Sequence, residues 1–346
     1  MKGMILAGGY ATRLRPLSCS KPKLLFPLVG VPLIDHMVSW LKKGGVRQVI
    51  LAVNHLSETL KIEVGNRRLG SEIIFSTEEI PLGTGGPIRL AKTTLDNHPF
   101  IVVNGDIVSN IDLTSVVKDH LNTGAEATVV LVSVRDPRAY GSASLDSQGR
   151  ITKFEEKSET RKGPCWINAG VYVLNPSVIA MIPGKGRVSL EREVFPNLAR
   201  SLKMSGWKHR GFWHDTGKIS DYIRANRELL TNPEFMTPAK RVKNFSRTNV
   251  KKPSHLGKHS LVDKGAKLGP YAILSERVRV DRGAMVRDSI IFEETYIGED
   301  CVIDGSVIGE RVNIGRGTRI GKGSIVAGQI DLPEGTVIRS GSTVLN

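Results

Sequence analysis

Two different hydrophobic periods divide the chain. Up to about residue 230, short β-type runs alternate with stretches whose apolar residues recur at helical spacing. The runs are Met4-Ile-Leu-Ala, Val46-Arg-Gln-Val-Ile-Leu-Ala-Val, Ile73-Ile-Phe, Phe100-Ile-Val-Val and Ala127-Thr-Val-Val-Leu-Val. Between the first two, Leu33, Ile34, Met37, Val38 and Leu41 share one helical face, and Gly44-Gly45 supplies the stop. This alternation predicts an α/β domain over residues 1–230, with a Rossmann-like, mainly parallel sheet flanked by helices. Ligands of such sheets gather at the carboxyl ends of the strands, where Gly8-Gly9 and Asn104-Gly105-Asp106 fall.

Pro233, Pro238 and Pro253 break both periodicities and mark a connector over residues 231–258. The pattern that follows is new. Val262, Leu268, Leu274, Val280, Val286, Ile291, Ile297, Ile303, Ile308, Ile314, Ile320 and Val326 return about every six positions, and glycine often comes next, as in Leu268-Gly269 and Ile314-Gly315. A six-residue period of inward aliphatics with turn residues predicts a parallel β-helix over residues 259–346. Three hexads to a coil make about four coils from this run. Its expected role is that of a structural and homo-oligomerising spine.

Charge changes this picture little. The formal net charge is +15, which attracts polyanions in general, but its densest run is Lys240, Arg241, Lys243, Arg247, Lys251, Lys252 and Lys258, inside the connector. Aromatic residues are 5% of the chain and that run holds Phe245 alone, so the stacking platforms of a single-strand nucleic-acid binder are missing. No apolar run of about 18 residues occurs, and the first residues pass directly into a strand and a glycine turn, so no membrane span is expected and a cytoplasmic protein is. Cys19, Cys165 and Cys301 are odd in number and lack paired spacing, which signals neither a disulfide framework nor a zinc site.

The candidate chemistry begins at Leu6-Ala7-Gly8-Gly9. Glycines directly after a strand let backbone amides approach a phosphate closely. Arg13 and Arg15 then offer planar charged forks, and Lys23 a compact cation, to phosphate oxygens. Neither the dinucleotide fingerprint nor the Walker pattern is present. The order of glycines, Arg13 and Lys23 resembles the signature G-G-x-G-T-R-L-x-P-L-T-x-x-x-P-K of sugar-1-phosphate nucleotidyltransferases. That resemblance extends through most of residues 1–230. It implies that Leu6, Ala7, Gly8 and Gly9 hold the triphosphate, with Arg13 and Lys23 neutralising the transferred and leaving phosphates. Ala11 departs from the family's glycine, and a methyl group there is expected to force φ negative or narrow the turn.

Other motifs extend the resemblance. Asp106, after the strand Phe100–Val103, suits a hard cation that shares its oxygen ligands between carboxylates and substrate phosphates. The family binds its metal with an aspartate at this place and another from a W-x-D-x-G motif, so Mg²⁺ on Asp106 and Asp215 is implied. His214, beside Asp215, reads as an incidental surface histidine. Gly141, the Glu155-Glu156-Lys157 cluster and Ile167-Asn168-Ala-Gly-Val-Tyr172 match the family's sugar-contacting elements. By that match Glu156 accepts from sugar hydroxyls, Lys157 pairs with the sugar phosphate and Asn168 bonds the ring. Ser158 stands in place of the family's usual proline. Pro81-Leu-Gly83-Thr84-Gly85-Gly-Pro87 resembles the P-L-G-T-A-G-P element of mannose-1-phosphate guanylyltransferases, which places Gly83, Thr84 and Gly85 against the base. The C-terminal hexads are similar to the left-handed hexapeptide-repeat domain of many transferases.

The expected reaction is transfer of a nucleotidyl group from a nucleoside triphosphate, GTP first, to a sugar 1-phosphate, mannose first, with Arg13, Lys23, Asp106 and Asp215 as catalytic residues. Uridylyl, thymidylyl or adenylyl transfer to glucose 1-phosphate stays open, as does a regulatory paralogue that binds sugar nucleotide without turnover. Acyl transfer on the coil would need a histidine base, and no histidine follows His259.

Overall fold

Apolar β-type runs become the inner strands of a nine-stranded sheet. In the computed structural model, which describes residues 1–157, 163–232 and 249–345, strand β1 (Lys2–Leu6) lies between two parallel neighbours. After it come helix α1 (Leu33–Lys43), the neighbour β2 (Gln48–Asn54), and β3 (Glu72–Glu78), parallel to β2. The other neighbour is β4 (Phe100–Asn104), followed by the short β5 (Ile107–Ser109) and helix α2 (Leu113–Thr123), capped by Asp112. Then come β6 (Ala127–Val134), β7 (Gly141–Leu145), β8 (Ile151–Glu156) and β9 (Cys165–Leu174). Strands β10 (Met204–His209) and β11 (Trp213–Asp215) precede helix α3 (Ile219–Thr231). The sheet order is β8-β7-β9-β4-β1-β2-β3, with β6 beside β9 and β10 beside β6.

The Rossmann-like sheet flanked by helices is present, with its parallel character concentrated in β4-β1-β2-β3 and the pair β6-β10. Strand β9 runs antiparallel to β4, β6 and β7, so the sheet is mixed. The reversal is made by the hairpin between β7 and β8, where Asp146 N donates to Arg150 O (3.0 Å), and β9 then runs in the direction of β8, antiparallel to β7. The core on one face of this sheet joins Met4, Ile50, Phe100, Val102, Tyr172 and Phe195, all fully buried.

The hexads form the left-handed β-helix that they announce. Each short strand from Leu268 to Val326 carries the aliphatic residue named by the repeat as its second residue, and these side chains fill one buried core. Parallel stacking produces three sheets of six, six and five short strands. Hexad glycines have a packing reason: a Cβ on Gly309 would lie 2.4 Å from Gly328 N, and one on Gly315 2.6 Å from Glu334 N. The run from Val262 to Val326 supplies the four coils expected of it, and the coil extends past that run at both ends, beginning before residue 259. Asn249–Val250 and His255–Leu256 already pair into the coil, and strands continue to Thr343–Val344, so nearly six coils form. The apolar positions Val250 and Leu256 were masked by the basic residues around them. Lys240, Arg241, Lys243, Arg247 and Ser158 lie outside the described residues.

Packing divides the chain into two units. One comprises Met1–Gly9 and Met37–His214, the other Tyr10–His36 and Asp215–Asn346. The boundary therefore passes through the glycine turn itself and through the Trp213–Gly217 motif. Strands β5 and β11 form a separate two-stranded sheet. Among the described residues no helix is long and apolar enough to cross a membrane.

Candidate active site

In the first unit, register brings the glycine turn and the Asn104–Asp106 motif to one edge. Leu6 pairs with Ala52 on one side and with Asn104 on the other. Ala7 N donates to Ala52 O (2.8 Å) and Gly105 N to Leu6 O (2.9 Å), so both chains leave the sheet together. A Cβ on Gly105 would sit 2.6 Å from Leu6 O, which explains the glycine before Asp106. Asn54 Nδ2 donates to Gly8 O (3.1 Å) and steadies the turn. Nothing lies within 4 Å of a Cβ built on Gly9.

Glu78 is a residue of this edge that the sequence reading missed. It ends β3, is 3% exposed, and a Cβ on Gly8 would lie 2.6 Å from its Oε1. Its Oε2 accepts from Leu82 N (2.7 Å), and burial raises its pKa above the ordinary carboxyl value. The signal was present as the last residue of an apolar strand beside the Pro81–Pro87 element, but a Glu78-Glu79 pair reads as solvated until the strand is placed.

The Gly83–Gly85 turn is pinned to the segment after Val188. Gly83 has φ +79°, and a Cβ there would meet Val188 O at 2.3 Å. Gly85 N donates to Val188 O (2.9 Å), while the Thr84 hydroxyl donates to Glu191 Oε2 (2.5 Å) and accepts from Leu190 N (2.9 Å). The Thr84 side chain and the Gly85 amide thus shape the turn internally. Glu191 is the second residue of a π-helical turn, Leu190–Val194, and is 7% exposed. It also accepts from Ser189 Oγ (2.8 Å) and from Tyr172 OH (3.1 Å), which in turn accepts from Asn168 Nδ2 (2.8 Å). Asn168 Oδ1 accepts from Gly170 N (2.8 Å), so both ends of this amide are engaged within the fold.

Glu156 and Gly141 face each other across the β7–β8 pairing. A Cβ at Gly141 would lie 2.6 Å from Glu156 Oε2. Burial, then the Glu191 charge, raises the Glu156 pKa, with Lys157 and Arg192 opposing. Lys157 takes φ +53°, its N donates to Tyr140 O (3.2 Å), and its ammonium, 3.8 Å from Glu156 Oε1, is mostly exposed. Trp213 Nε1 donates to Ala169 O (2.9 Å), tying β11 to β9. His214 is buried, 7% exposed and edge-on to Phe212 at 5.1 Å, so the expected surface histidine is corrected. The aromatic motif draws it inward.

In the second unit, Ala11 overturns the expected effect of its methyl group. It adopts φ 48°, ψ 37°, the left-handed conformation that glycine would take, and Ser18 Oγ and Leu14 N both donate to its carbonyl (2.9 Å each). Those bonds hold the strained residue in place. A one-turn 3₁₀ helix, Thr12–Leu14, then carries Arg13. Arg13 and Asp215, some 200 residues apart, converge on Gly217. A Cβ there would lie 2.9 Å from Arg13 Nη2 and 2.8 Å from Asp215 Oδ1, which also accepts from Gly217 N (2.7 Å). Lys23 opens a second 3₁₀ turn and lines a small cavity with Thr216, Phe26, Leu28, Leu33 and Tyr222. The coil also contains a histidine that the sequence reading placed before it: His255 packs on the chain at Gly30, where a Cβ would meet its Nε2 at 2.5 Å.

Asp106 directly precedes β5, and Asp215 ends β11, the pairing partner of β5. Among the described residues no cluster of three or more His, Cys, Asp or Glu side chains could hold a metal by itself.

Residues 2–232 match the nucleotidyl transferase family model and residues 250–346 the GMPPB C-terminal domain. The chain is 33% identical over 357 residues to probable mannose-1-phosphate guanylyltransferase 3 of Oryza sativa subsp. japonica, covering 100% of this chain and 96% of that relative. It is 35% identical over 310 residues to the mannose-1-phosphate guanylyltransferase of Mycobacterium tuberculosis, covering 87% and 82%. Among solved structures, HddC from Yersinia pseudotuberculosis complexed with GMP-PN superposes with a TM-score of 0.56 at 27% identity, covering 66% of this chain and 99% of that one.

Proposed function

The chain belongs to the nucleotidyl transferase family, and from that membership we propose that it transfers a guanylyl group from GTP to mannose 1-phosphate. A sugar-phosphate oxygen attacks the α-phosphorus in line, one P–O bond forms, the bond to the bridging oxygen breaks, and pyrophosphate leaves. The observation that carries this reading is the convergence of Arg13 and Asp215 on Gly217, which joins the phosphate loop to the W-x-D-x-G motif. Arg13 and Lys23 would neutralise charge on the transferred and leaving phosphates, with the Gly8-Gly9 amides holding the triphosphate. Asp106 and Asp215 would hold Mg²⁺, which supplies charge neutralisation at the phosphates.

Glu78 favours guanine. The guanine edge carries two adjacent donors, N1–H and the 2-amino group, and a carboxylate is their two-oxygen acceptor. Uracil and thymine offer a single donor there. Leu6, Ala7, Gly8, Gly83 and the backbone of Thr84 and Gly85 complete the nucleotide side. On the sugar side Glu156 would accept from hydroxyls, Lys157 would pair with the phosphate, and Gly141 leaves room for Glu156. Asn168 would act through Tyr172 and Glu191, as well as on the ring. The substrates would be met in the cytoplasm, and the coil, with exposed Leu261 and Val337, would support a homo-oligomer.

Pyrophosphate release should be measured with each triphosphate against mannose, glucose and N-acetylglucosamine 1-phosphates. GTP with mannose 1-phosphate is expected to lead, and Glu78→Gln to lower kcat/KM for GTP by about tenfold or more while sparing the fold. Because carboxylate ionisation is needed, KM for GTP should rise as pH falls through the raised Glu78 pKa, at a higher pH than an ordinary carboxyl would give. Release from no pair would favour a binding protein without turnover.

A further inference from the structure

The short segment that carries Lys23 is held on either side by two consecutive residues of the coil. Two positions before it, Lys21 Nζ donates to Glu293 Oε1 in an ion pair whose side chains are 16% and 23% exposed. Three positions after it, Phe26 meets Phe292 edge-to-face, with ring centroids 5.4 Å apart. Tyr222 of α3 closes the aromatic cluster at 5.8 Å from Phe26 and 6.4 Å from Phe292, and its hydroxyl donates to Pro27 O. Val29 N donates to the buried Asn226 side chain of the same helix (2.8 Å).

Neither side chain belongs to the coil's own aliphatic core. Ile291 supplies the inward aliphatic of its hexad, so Phe292 is the residue after the core position. It is nevertheless fully buried, and Phe26 and Tyr222 are the rings against it. The Glu293 side chain likewise holds a lysine of the loop, while its backbone carbonyl accepts from Arg311 N of the next coil (3.0 Å). A 3₁₀ turn of three residues, fixed at each end, leaves Lys23 little freedom to wander. Preorganised cations are worth most when they do not move to reach the developing charge.

We propose that Phe292 and Glu293 are positioning residues for nucleotidyl transfer, so that each chain's β-helix is part of its catalytic apparatus as well as a scaffold. The proposal rests on the reading that Lys23 contacts a phosphate of the triphosphate. Displacement of a catalytic group by about 1 Å costs up to about a hundredfold in rate.

Three variants of the full chain test it: Glu293→Gln, Lys21→Glu, and the swap Lys21→Glu with Glu293→Lys. Glu293→Gln should lower kcat about tenfold with a smaller change in KM for the sugar phosphate, and leave the melting of the coil near wild type. Lys21→Glu should be worse, and the swap should regain most of the turnover of the better single variant or more. Amide exchange in residues 18–26, measured without nucleotide, should quicken in both single variants and slow again in the swap. Wild-type turnover in Glu293→Gln, or faster exchange without loss of turnover, overturns the positioning role. If the wild type itself releases no pyrophosphate, the functional reading fails, and unchanged exchange would then separately sink the clamp.

Discussion

Replacing Gly217 by alanine places one methyl group between the two side chains on which the proposed chemistry depends. The new Cβ would stand 2.8 Å from Asp215 Oδ1 and 2.9 Å from Arg13 Nη2, where ordinary contacts begin near 3.4 Å. Each group must therefore retreat by about 0.5 Å, or one must retreat by more. Gly217 does not occupy the left-handed region, so alanine meets no backbone penalty. Overpacking costs about 1–3 kcal/mol and lost unfolded-state entropy returns about 0.4–1, so the net destabilisation should be about 1 kcal/mol. Displaced Arg13 and Asp215 should cost much more in turnover, about ten- to a hundredfold in kcat. Pyrophosphate release gives the second quantity and urea unfolding the first. Gly9→Ala is the comparison, because nothing lies within 4 Å of its Cβ in the protein and only a bound nucleotide would feel the methyl. It should keep the stability and raise KM for the triphosphate. A Gly217→Ala enzyme with kcat/KM within about threefold of wild type would refute the assignment of Arg13 and Asp215.

Ala11→Gly should stabilise the protein by up to about 1 kcal/mol in urea unfolding, because glycine takes the observed left-handed conformation without strain. Thr84→Val removes the hydroxyl that joins Glu191 to Leu190 N and should cost about 1–3 kcal/mol, read by thermal unfolding. His36 is fully shielded within the fold and its pKa is lowered to about 4 by burial. The unfolded chain therefore takes up a proton below about 6.5 that the folded chain refuses until about 4, and stability falls as pH drops through that window. The gap corresponds to about 3 kcal/mol, and His36→Gln should shrink the acid-side loss by a similar amount in unfolding curves taken across that range.

Local regularity made much of this protein legible. Unbroken apolar runs marked β1, β2 and β4, the helical period marked α1, and the period of six marked the coil, since each repeat must bury its own apolar face. Glycines with a covalent neighbour of chemical interest could also be read, as at Gly8-Gly9 and Gly105. What depended on contacts between distant residues could not. Glu78 looked solvated until β3 set it against Gly8, and His214 looked exposed until Phe212 covered it. The antiparallel course of β9 followed from the hairpin between β7 and β8, and the early start of the coil was hidden by basic residues around Val250 and Leu256.

The sequence by itself determined the two architectures and the inventory of charged groups, because periodicity and glycine placement act over a few residues. Tertiary structure decided which groups meet. It brought Arg13 to Asp215 across Gly217, engaged Asn168 with Tyr172 and Glu191, and set Lys21 and Phe26 against two residues of the coil. Such meetings are fixed by the packing of whole elements, and no local pattern in the chain encodes the distance between residues 21 and 293.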